Sequence, residues 1–353
     1  MKYLIDGILV VLALAGVILE AGQKSPPLPA PTQGVNELLA RGDYDAADRF
    51  FASQLAERPG DFRLLYNRAL ANYLAHHLEK SRDLLLSVAP SEQNRLDYQV
   101  LLATVLIDLG DYREALPPSQ QAVRLRPSDP ENWLRLGMVY LRLKRGQHAL
   151  DTYKTAWGLF PTRPEFLIGQ GVVEEMVAKL PQAISTYKQV TAKFPRYEPG
   201  YCFLGQVQIK SSLPEEARAT GQKLLRLNPH SAYGEYLLAQ ADWITPGKGQ
   251  EARPHVQRAL ELNPRLAEAA LLAGKVEMQA GEPLKAIHFL SSAVQIAPQL
   301  EDAHYVLSRA YRQIGDPARA EAQLAIFREL RRKEDAENHL LSNFLATGGP
   351  PPQ

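Results

Sequence analysis

Side chains that perform catalysis or bind metals occur in this sequence, but their spacing matches no motif for such chemistry. The eight histidines show no His-Glu-x-x-His arrangement, and His76-His77 fits the exposed surface of a helix. Gly247-Lys248-Gly249 lacks the upstream glycine and the following Ser or Thr of a phosphate-binding loop. No Gly-x-Ser-x-Gly or Gly-x-Gly-x-x-Gly sequence occurs. We therefore predict a protein that is not an enzyme, and we expect no catalytic residue, cofactor, metal or small-molecule substrate.

The composition also limits the class of partner. The single cysteine, Cys202, allows neither an intramolecular disulfide nor a multi-cysteine metal site, and we interpret it as a small apolar packing residue. Lys and Arg number 40 against 39 Asp and Glu, for a formal net charge of +1. Because nucleic-acid binding requires a basic stripe that displaces counterions, we predict no nucleic-acid partner.

Prolines recur along the chain at a nearly constant interval. Those at positions 127, 161, 195, 229, 264 and 298 are separated by 34, 34, 34, 35 and 34 residues. A fixed period of this size is typical of an array of stacked structural repeats. We therefore expect the length of 353 residues to extend an array rather than to enlarge one globular core.

Other residue types recur at fixed places within each period. In the repeat from 130 to 163, two sets lie at helical spacing: Trp133, Leu136, Gly137 and Tyr140, then Ala149, Tyr153, Ala156 and Pro161. The eighth place is small in every repeat from 62 onward, and alanine predominates at the twentieth. Small residues at these places let two helices pack closely, and Gly-Asp pairs such as Gly110-Asp111 predict the turn between them.

This pattern resembles the tetratricopeptide repeat family over residues 35 to 331. The resemblance implies an all-α fold, an α-α superhelix or solenoid of about eight to nine helical hairpins, that binds other proteins. The expected repeats are 35–61, 62–95, 96–129, 130–163, 164–197, 198–231, 232–266, 267–300 and 301–331. The first is partial, and repeat 232–266 carries one extra residue near Thr245–Gln250, which predicts a longer turn.

The N-terminal 24 residues predict a signal peptide or a single transmembrane anchor. An uncharged run from Gly7 to Leu19 follows Lys2, and an anchor would use residues 4–19 to contact the membrane. The two alternatives place the array outside the cytoplasm, either tethered to the membrane or exported after cleavage. Residues 25–34 contain four prolines and predict an extended linker.

The C-terminal region predicts a capping helix. Residues 318–345 can form one helix, with 332–345 continuing beyond the last repeat and residues 346–353 forming a disordered tail. Its apolar positions include Leu340, Leu341 and Phe344, and a solenoid needs such a helix to cover its terminal hydrophobic face. We interpret the charged run 328–337 as the solvated face of that helix.

The resemblance also implies where a partner would bind. In tetratricopeptide arrays the first helix of each hairpin lines a concave groove, at about its second, fifth, ninth, twelfth and thirteenth places. In the late repeats these places hold Tyr233, Tyr236, Gln240, Trp243, Lys275, Tyr305, Arg309 and Arg312. Aromatic residues and arginines are enriched at interface hot spots, so this cluster is our candidate partner-binding site. The alternative is that Tyr236 and Trp243 pack between neighbouring hairpins.

These observations predict a membrane-tethered or exported scaffold that holds a partner protein, of unknown identity, in its groove. The alternative function is a permanent structural or assembly subunit of a larger membrane protein complex.

Overall fold

The computed structural model describes residues 38–39 and 41–347. This part of the chain contains seventeen α-helices and no strand. They are α1 (Tyr44–Glu57), α2 (Phe62–Leu74), α3 (Leu78–Leu86), α4 (Leu96–Leu109), α5 (Tyr112–Leu125), α6 (Pro130–Arg142), α7 (Gly146–Leu159), α8 (Pro164–Met176), α9 (Leu180–Lys193), α10 (Glu198–Lys210), α11 (Pro214–Leu227), α12 (Ala232–Ile244), α13 (Ala252–Leu262), α14 (Ala267–Gln279), α15 (Pro283–Ile296), α16 (Glu301–Gln313) and α17 (Pro317–Thr347). The predicted all-α solenoid fold is confirmed.

The helices pair as hairpins in register with the 34-residue period. From α2 onward, each even-numbered helix is the first helix of a hairpin and the next odd-numbered helix is its second, and the two pack against each other. Helix α1 is the second helix of the partial first repeat. In the first helix of that repeat, only Leu38 and Leu39 are among the described residues, and they pack near Phe51.

The chain divides into two compact units between Lys193 and Phe194. The N-terminal unit contains α1 to α9, and the C-terminal unit contains α10 to α17. Within each unit, successive first helices contact one another as well as their own second helices. The first helices therefore form a layer of their own in each unit.

The small eighth residue permits the close approach of the two helices in a hairpin. A Cβ atom on Gly137 would overlap the ring of Tyr153, and one on Gly171 would overlap the ring of Tyr187. Both tyrosines lie on the second helix of the same hairpin and are buried. Gly205 differs, because the side chain closest to it is Leu237 on the first helix of the following repeat. The small place therefore serves contacts within and between hairpins.

The turn inside each hairpin contains one residue in the left-handed conformation, at the fifteenth place of the repeat, or at the sixteenth in repeat 232–266, where it is Gly247. Glycine occupies this place at Gly110 (φ 84°) and Gly315 (φ 77°), as the Gly-Asp pairs predict. Four repeats instead place a non-glycine residue there: His76, Lys144, Ala178 and Ser212, with φ between 55° and 60°. The predicted longer turn of repeat 232–266 is confirmed, since a 3₁₀ helix, Gly249–Glu251, separates α12 from α13.

The Asp48 carboxylate links helix α1 to the following hairpin by hydrogen bonds. Asp48 accepts hydrogen bonds from Asn72 Nδ2 (2.6 Å), Lys80 Nζ (2.7 Å) and Arg68 Nε (2.9 Å). Burial would raise the pKa of Asp48, but these three donors outweigh burial and lower the pKa to about 2. Asp48 therefore connects α1 to both α2 and α3.

Helix α17 covers α16 and extends two residues past the predicted end, to Thr347. The Tyr305 and Phe327 rings lie 5.2 Å apart, and Arg331 Nη1 lies 2.7 Å from Glu301 Oε1. Within the charged run, Arg328 and Arg332 are exposed and pair with glutamates on the same helix, as expected of a solvated face. The side chains of Leu340, Leu341 and Phe344 lie outside the described residues.

The predicted N-terminal segments, residues 1–24 and 25–34, also lie outside the described residues. Among the helices that are described, none has the length and apolar character needed to span a bilayer.

Candidate partner-binding surface

In the C-terminal unit, the first helices α10, α12, α14 and α16 contact one another in sequence. We call the surface formed by their second, fifth, ninth, twelfth and thirteenth places the inner surface of this unit. All eight predicted site residues belong to it. They divide into a group on α12, one residue on α14 and a group on α16.

The aromatic residues on α12 are largely part of the core. Tyr236 is only 7% exposed, and burial together with the nearby Glu268 carboxylate raises the pKa of its hydroxyl well above the usual value. Its ring meets that of Tyr233 edge-to-face at 5.7 Å, and Trp243 packs against the same hydrophobic cluster. For Tyr236 and Trp243, these contacts favour the packing alternative.

Two polar groups of α12 remain at the inner surface. Tyr233 is half-buried and its hydroxyl donates a hydrogen bond to Gln206 Oε1 (2.9 Å). Gln240 is half-buried, and its Oε1 atom is buried without a donor among the described residues. A buried acceptor without a donor is unfavourable by about 1–3 kcal/mol.

Lys275 on α14 forms an ion pair with a residue of α16. Its Nζ atom lies 3.1 Å from Asp302 Oδ2 on α16, and the Asp302 side chain is 58% exposed. An exposed pair of this kind contributes about 0–1 kcal/mol. Lys275 can therefore leave Asp302 and pair with a carboxylate of a partner at little cost in free energy.

The group on α16 is the most accessible part of the inner surface. Tyr305, Arg309 and Arg312 lie at i, i+4 and i+7 and share one helix face. Tyr305 is 42% exposed, although its ring contacts Phe327, and both arginines are exposed. Neither arginine has an ion-pair partner among the described residues. The face therefore presents an aromatic ring beside two free guanidinium groups.

The same places in the middle repeats of the N-terminal unit hold apolar residues that are mostly buried. Leu134, Leu141, Ile168 and Val172 are each at most 8% exposed. Met138, at the ninth place of its repeat, is half-buried. These places therefore present little apolar surface to a partner.

Sequence reasoning missed a set of buried polar contacts between consecutive hairpins. In the C-terminal unit, Arg218 Nη1 lies 2.6 Å from Asp242 Oδ1, and Arg253 Nη2 lies 2.9 Å from Glu277 Oε2. The carboxylate side chains are 3% and 4% exposed. In both pairs an arginine meets a carboxylate at the eleventh place of the next repeat. Arg218 is at the twenty-first place of its repeat, and Arg253 is at the twenty-second, because its repeat has one extra residue. That spacing of 24 residues was visible in the sequence.

Cys202 is a packing residue, as expected. It contacts the cluster formed by Tyr201, Leu224 and Leu237, and burial raises the pKa of its thiol to about 12. A thiol with such a pKa carries almost no thiolate near neutral pH, so it is a poor nucleophile.

Comparisons with known proteins agree with this architecture. Tetratricopeptide repeat models match residues 100–164, 247–301 and 277–337, which confirms that the predicted repeats are tetratricopeptide repeats there. No curated protein matches the chain.

Solved structures show the same fold. Yeast Tom70 is 16% identical with a TM-score of 0.62, over 91% of this chain and 76% of that chain. A tetratricopeptide repeat protein from Parabacteroides merdae is 14% identical with a TM-score of 0.57, over 79% of this chain and 96% of that chain. The APC/C hetero-tetramer Cut9-Hcn1 contains a chain that is 18% identical with a TM-score of 0.54, over 81% of this chain and 56% of that chain. At these identities the likeness concerns the fold alone.

Proposed function

We propose that this protein is a non-enzymatic scaffold that binds a segment of a partner protein on the inner surface of its C-terminal unit. The observation that supports this most strongly is the face of α16 with Tyr305, Arg309 and Arg312. An exposed arginine without an ion-pair partner contributes little to the free energy of folding. Two of them beside an exposed tyrosine are instead the residue types that dominate interface hot spots.

The chemistry of this face favours an acidic segment. A guanidinium group binds a carboxylate through two parallel hydrogen bonds, which gives both affinity and orientation. Lys275 adds a third cation that can leave Asp302 for a partner. Tyr236 contributes to this site only by supporting α12 from the core.

A comparison of two double variants tests the proposal. The full-length protein carrying Arg309→Ala and Arg312→Ala would be purified by affinity beside the unaltered protein, with mass spectrometry of the retained proteins. The matched control carries Lys223→Ala and Arg226→Ala, which remove two exposed cations from α11, a second helix. We expect at least one partner that the unaltered protein and the control retain and that the α16 variant loses.

The binding segment would then be tested as a synthetic peptide, with and without its acidic residues. Identical sets of retained proteins for all three forms would show that the inner surface of the C-terminal unit is the wrong surface. A partner that resists high-salt washing at a fixed stoichiometry would favour the alternative function, a permanent subunit of a larger complex.

Membrane tethering or export is a separate part of the proposal, and it rests on the sequence of residues 4–19. Fractionation of cells that produce the full chain, or a chain without residues 1–24, tests it. We expect the full chain in the membrane fraction if the segment is an anchor, and in the exported fraction if it is cleaved. Equal distribution of the two chains would contradict both.

A further inference from the structure

A second candidate site lies on the second helices of the C-terminal unit. A cleft of about 440 Å³ separates α13 from α15. Its walls include Arg253 on α13, Glu277 near the end of α14, and Leu284, Lys285, His288 and Phe289 on α15. Pockets that hold small groups usually measure about 300–1,000 Å³, so the cleft can accept one or two side chains. None of these residues belongs to the inner surface.

The apolar wall of the cleft is exposed without a structural reason. Leu284 is 71% exposed. The matching place on α11 holds Glu215, which also follows a proline at the start of the helix. A leucine at an exposed helix start contributes little to folding, whereas covering it would remove apolar surface from water. Phe289 extends the apolar wall down to the hydrophobic cluster beneath it.

The accessible charge of the cleft is positive. Glu277 is 4% exposed and already accepts a hydrogen bond from Arg253 Nη2 (2.9 Å). The Arg253 side chain is 36% exposed, so its guanidinium group remains accessible from the cleft. Lys285 Nζ lies 3.6 Å from Glu282 Oε2, and both side chains are at least half exposed, so this pair is weak. An incoming carboxylate would therefore meet two cations and no accessible anion in the cleft lining.

We infer that this cleft binds a polypeptide segment that presents a carboxylate next to an apolar side chain. The carboxylate pairs with Lys285 and Arg253, and the apolar side chain covers Leu284. The inference is independent of the proposed function, because the cleft and the inner surface are formed by different residues. A protein with both sites would hold two segments at once.

The test uses two acetylated, amidated probe peptides on the full chain. One alternates glutamate with leucine, and the other has glutamine in place of each glutamate. Binding is followed by NMR of the ¹³C-methyl groups of leucine, with the Leu284 signal assigned from the spectrum of Leu284→Ala. Lys285→Glu tests the charge, and Lys223→Glu on α11 is the matched control, since both lysines are exposed.

We expect the glutamate peptide to shift the Leu284 signal and to bind the Lys285→Glu variant about fivefold more weakly or worse. Lys223→Glu should leave its affinity unchanged, and the glutamine peptide should bind several-fold more weakly. Each of three results would overturn the inference: no shift of Leu284 at millimolar peptide, equal affinity for the two peptides, or the same loss in both charge variants. Methyl signals far from residue 285 report that each variant remains folded.

Discussion

Arg218 on α11 and Asp242 on α12 form a buried ion pair between consecutive hairpins. Their closest approach is 2.6 Å, with the Asp242 side chain 3% exposed and the Arg218 side chain 21% exposed. The carboxylate also faces His255, whose Nε2 atom lies 4.0 Å from Asp242 Oδ2 while its Nδ1 atom lies 2.7 Å from Glu235 Oε2. The same 24-residue relationship recurs at Arg253–Glu277 and, with an amide donor, at Asn72–Asp48.

We predict that Arg218→Met lowers the free energy of unfolding by about 3 kcal/mol, because it leaves Asp242 buried without its cation. The double variant Arg218→Met, Asp242→Leu should be less destabilised than the single variant, since no uncompensated charge remains. Urea denaturation measures both. Arg258→Met breaks the exposed pair with Glu261 and should change the free energy by less than about 1 kcal/mol. Equal effects at Arg218 and Arg258 would mean that burial of the pair is unimportant.

Asp48 should make the stability of the N-terminal unit depend on pH. Its pKa is lowered to about 2 in the folded chain, below the ordinary value of 3.8. Its stabilisation is therefore fully present above about pH 4 and is lost as the pH falls toward 2. By linkage, the lowered pKa of Asp48 contributes roughly 2 kcal/mol to the free energy of unfolding above about pH 4. Urea midpoints between pH 2 and 6 should fall less steeply for Asp48→Asn than for the unaltered protein, and parallel curves would contradict the assignment.

Replacing glycine by alanine should have opposite effects on stability in a left-handed turn and inside a helix. Gly315→Ala should destabilise the protein by about 1 kcal/mol, because φ is 77° there, although the space around the Cβ is open. Gly158→Ala, inside α7 and equally open, should stabilise it by about 0.5–1 kcal/mol through helix propensity. Ala178→Gly, at φ 58°, should be neutral or stabilising. Thermal midpoints that moved in the same direction for Gly315→Ala and Gly158→Ala would refute this account.

Gly137→Leu should overpack the hairpin of α6 and α7. The new side chain would occupy the position of the Tyr153 ring, at a cost of about 1–3 kcal/mol or more. Gly158→Leu adds the same side chain to the same hairpin at a place with no neighbouring atoms, and provides the control. A thermal midpoint that is unchanged for Gly137→Leu would show that the register of the hairpin is wrong.

The sequence was sufficient for the parts of the fold that repeat. Prolines, small residues and Gly-Asp turns recur because every hairpin meets the same steric requirements. The pattern of one repeat therefore predicts the structure of the others. The left-handed conformation of the turn residues His76, Lys144, Ala178 and Ser212 could not be predicted, since it is unfavourable for residues other than glycine.

The candidate site was predictable in position but not in exposure. Tyr236 and Arg309 occupy places of the same helical surface, yet one is buried and the other exposed. The difference arises because α12 has first helices on both sides, whereas α16 contacts α14 on one side and α17 packs over it. Burial of this kind depends on neighbours rather than on spacing along the chain.

Polar partners in this fold lie close together along the chain. Arg253 and Glu277 are 24 residues apart, and Tyr73 and Asp108, on the first helices of consecutive hairpins, are 35 apart. When a ribosome releases such a hairpin, the hairpin before it has already emerged and offers its surface. The order of synthesis is thus also an order in which native contacts can form, and each hairpin can fold during translation without waiting for distant sequence.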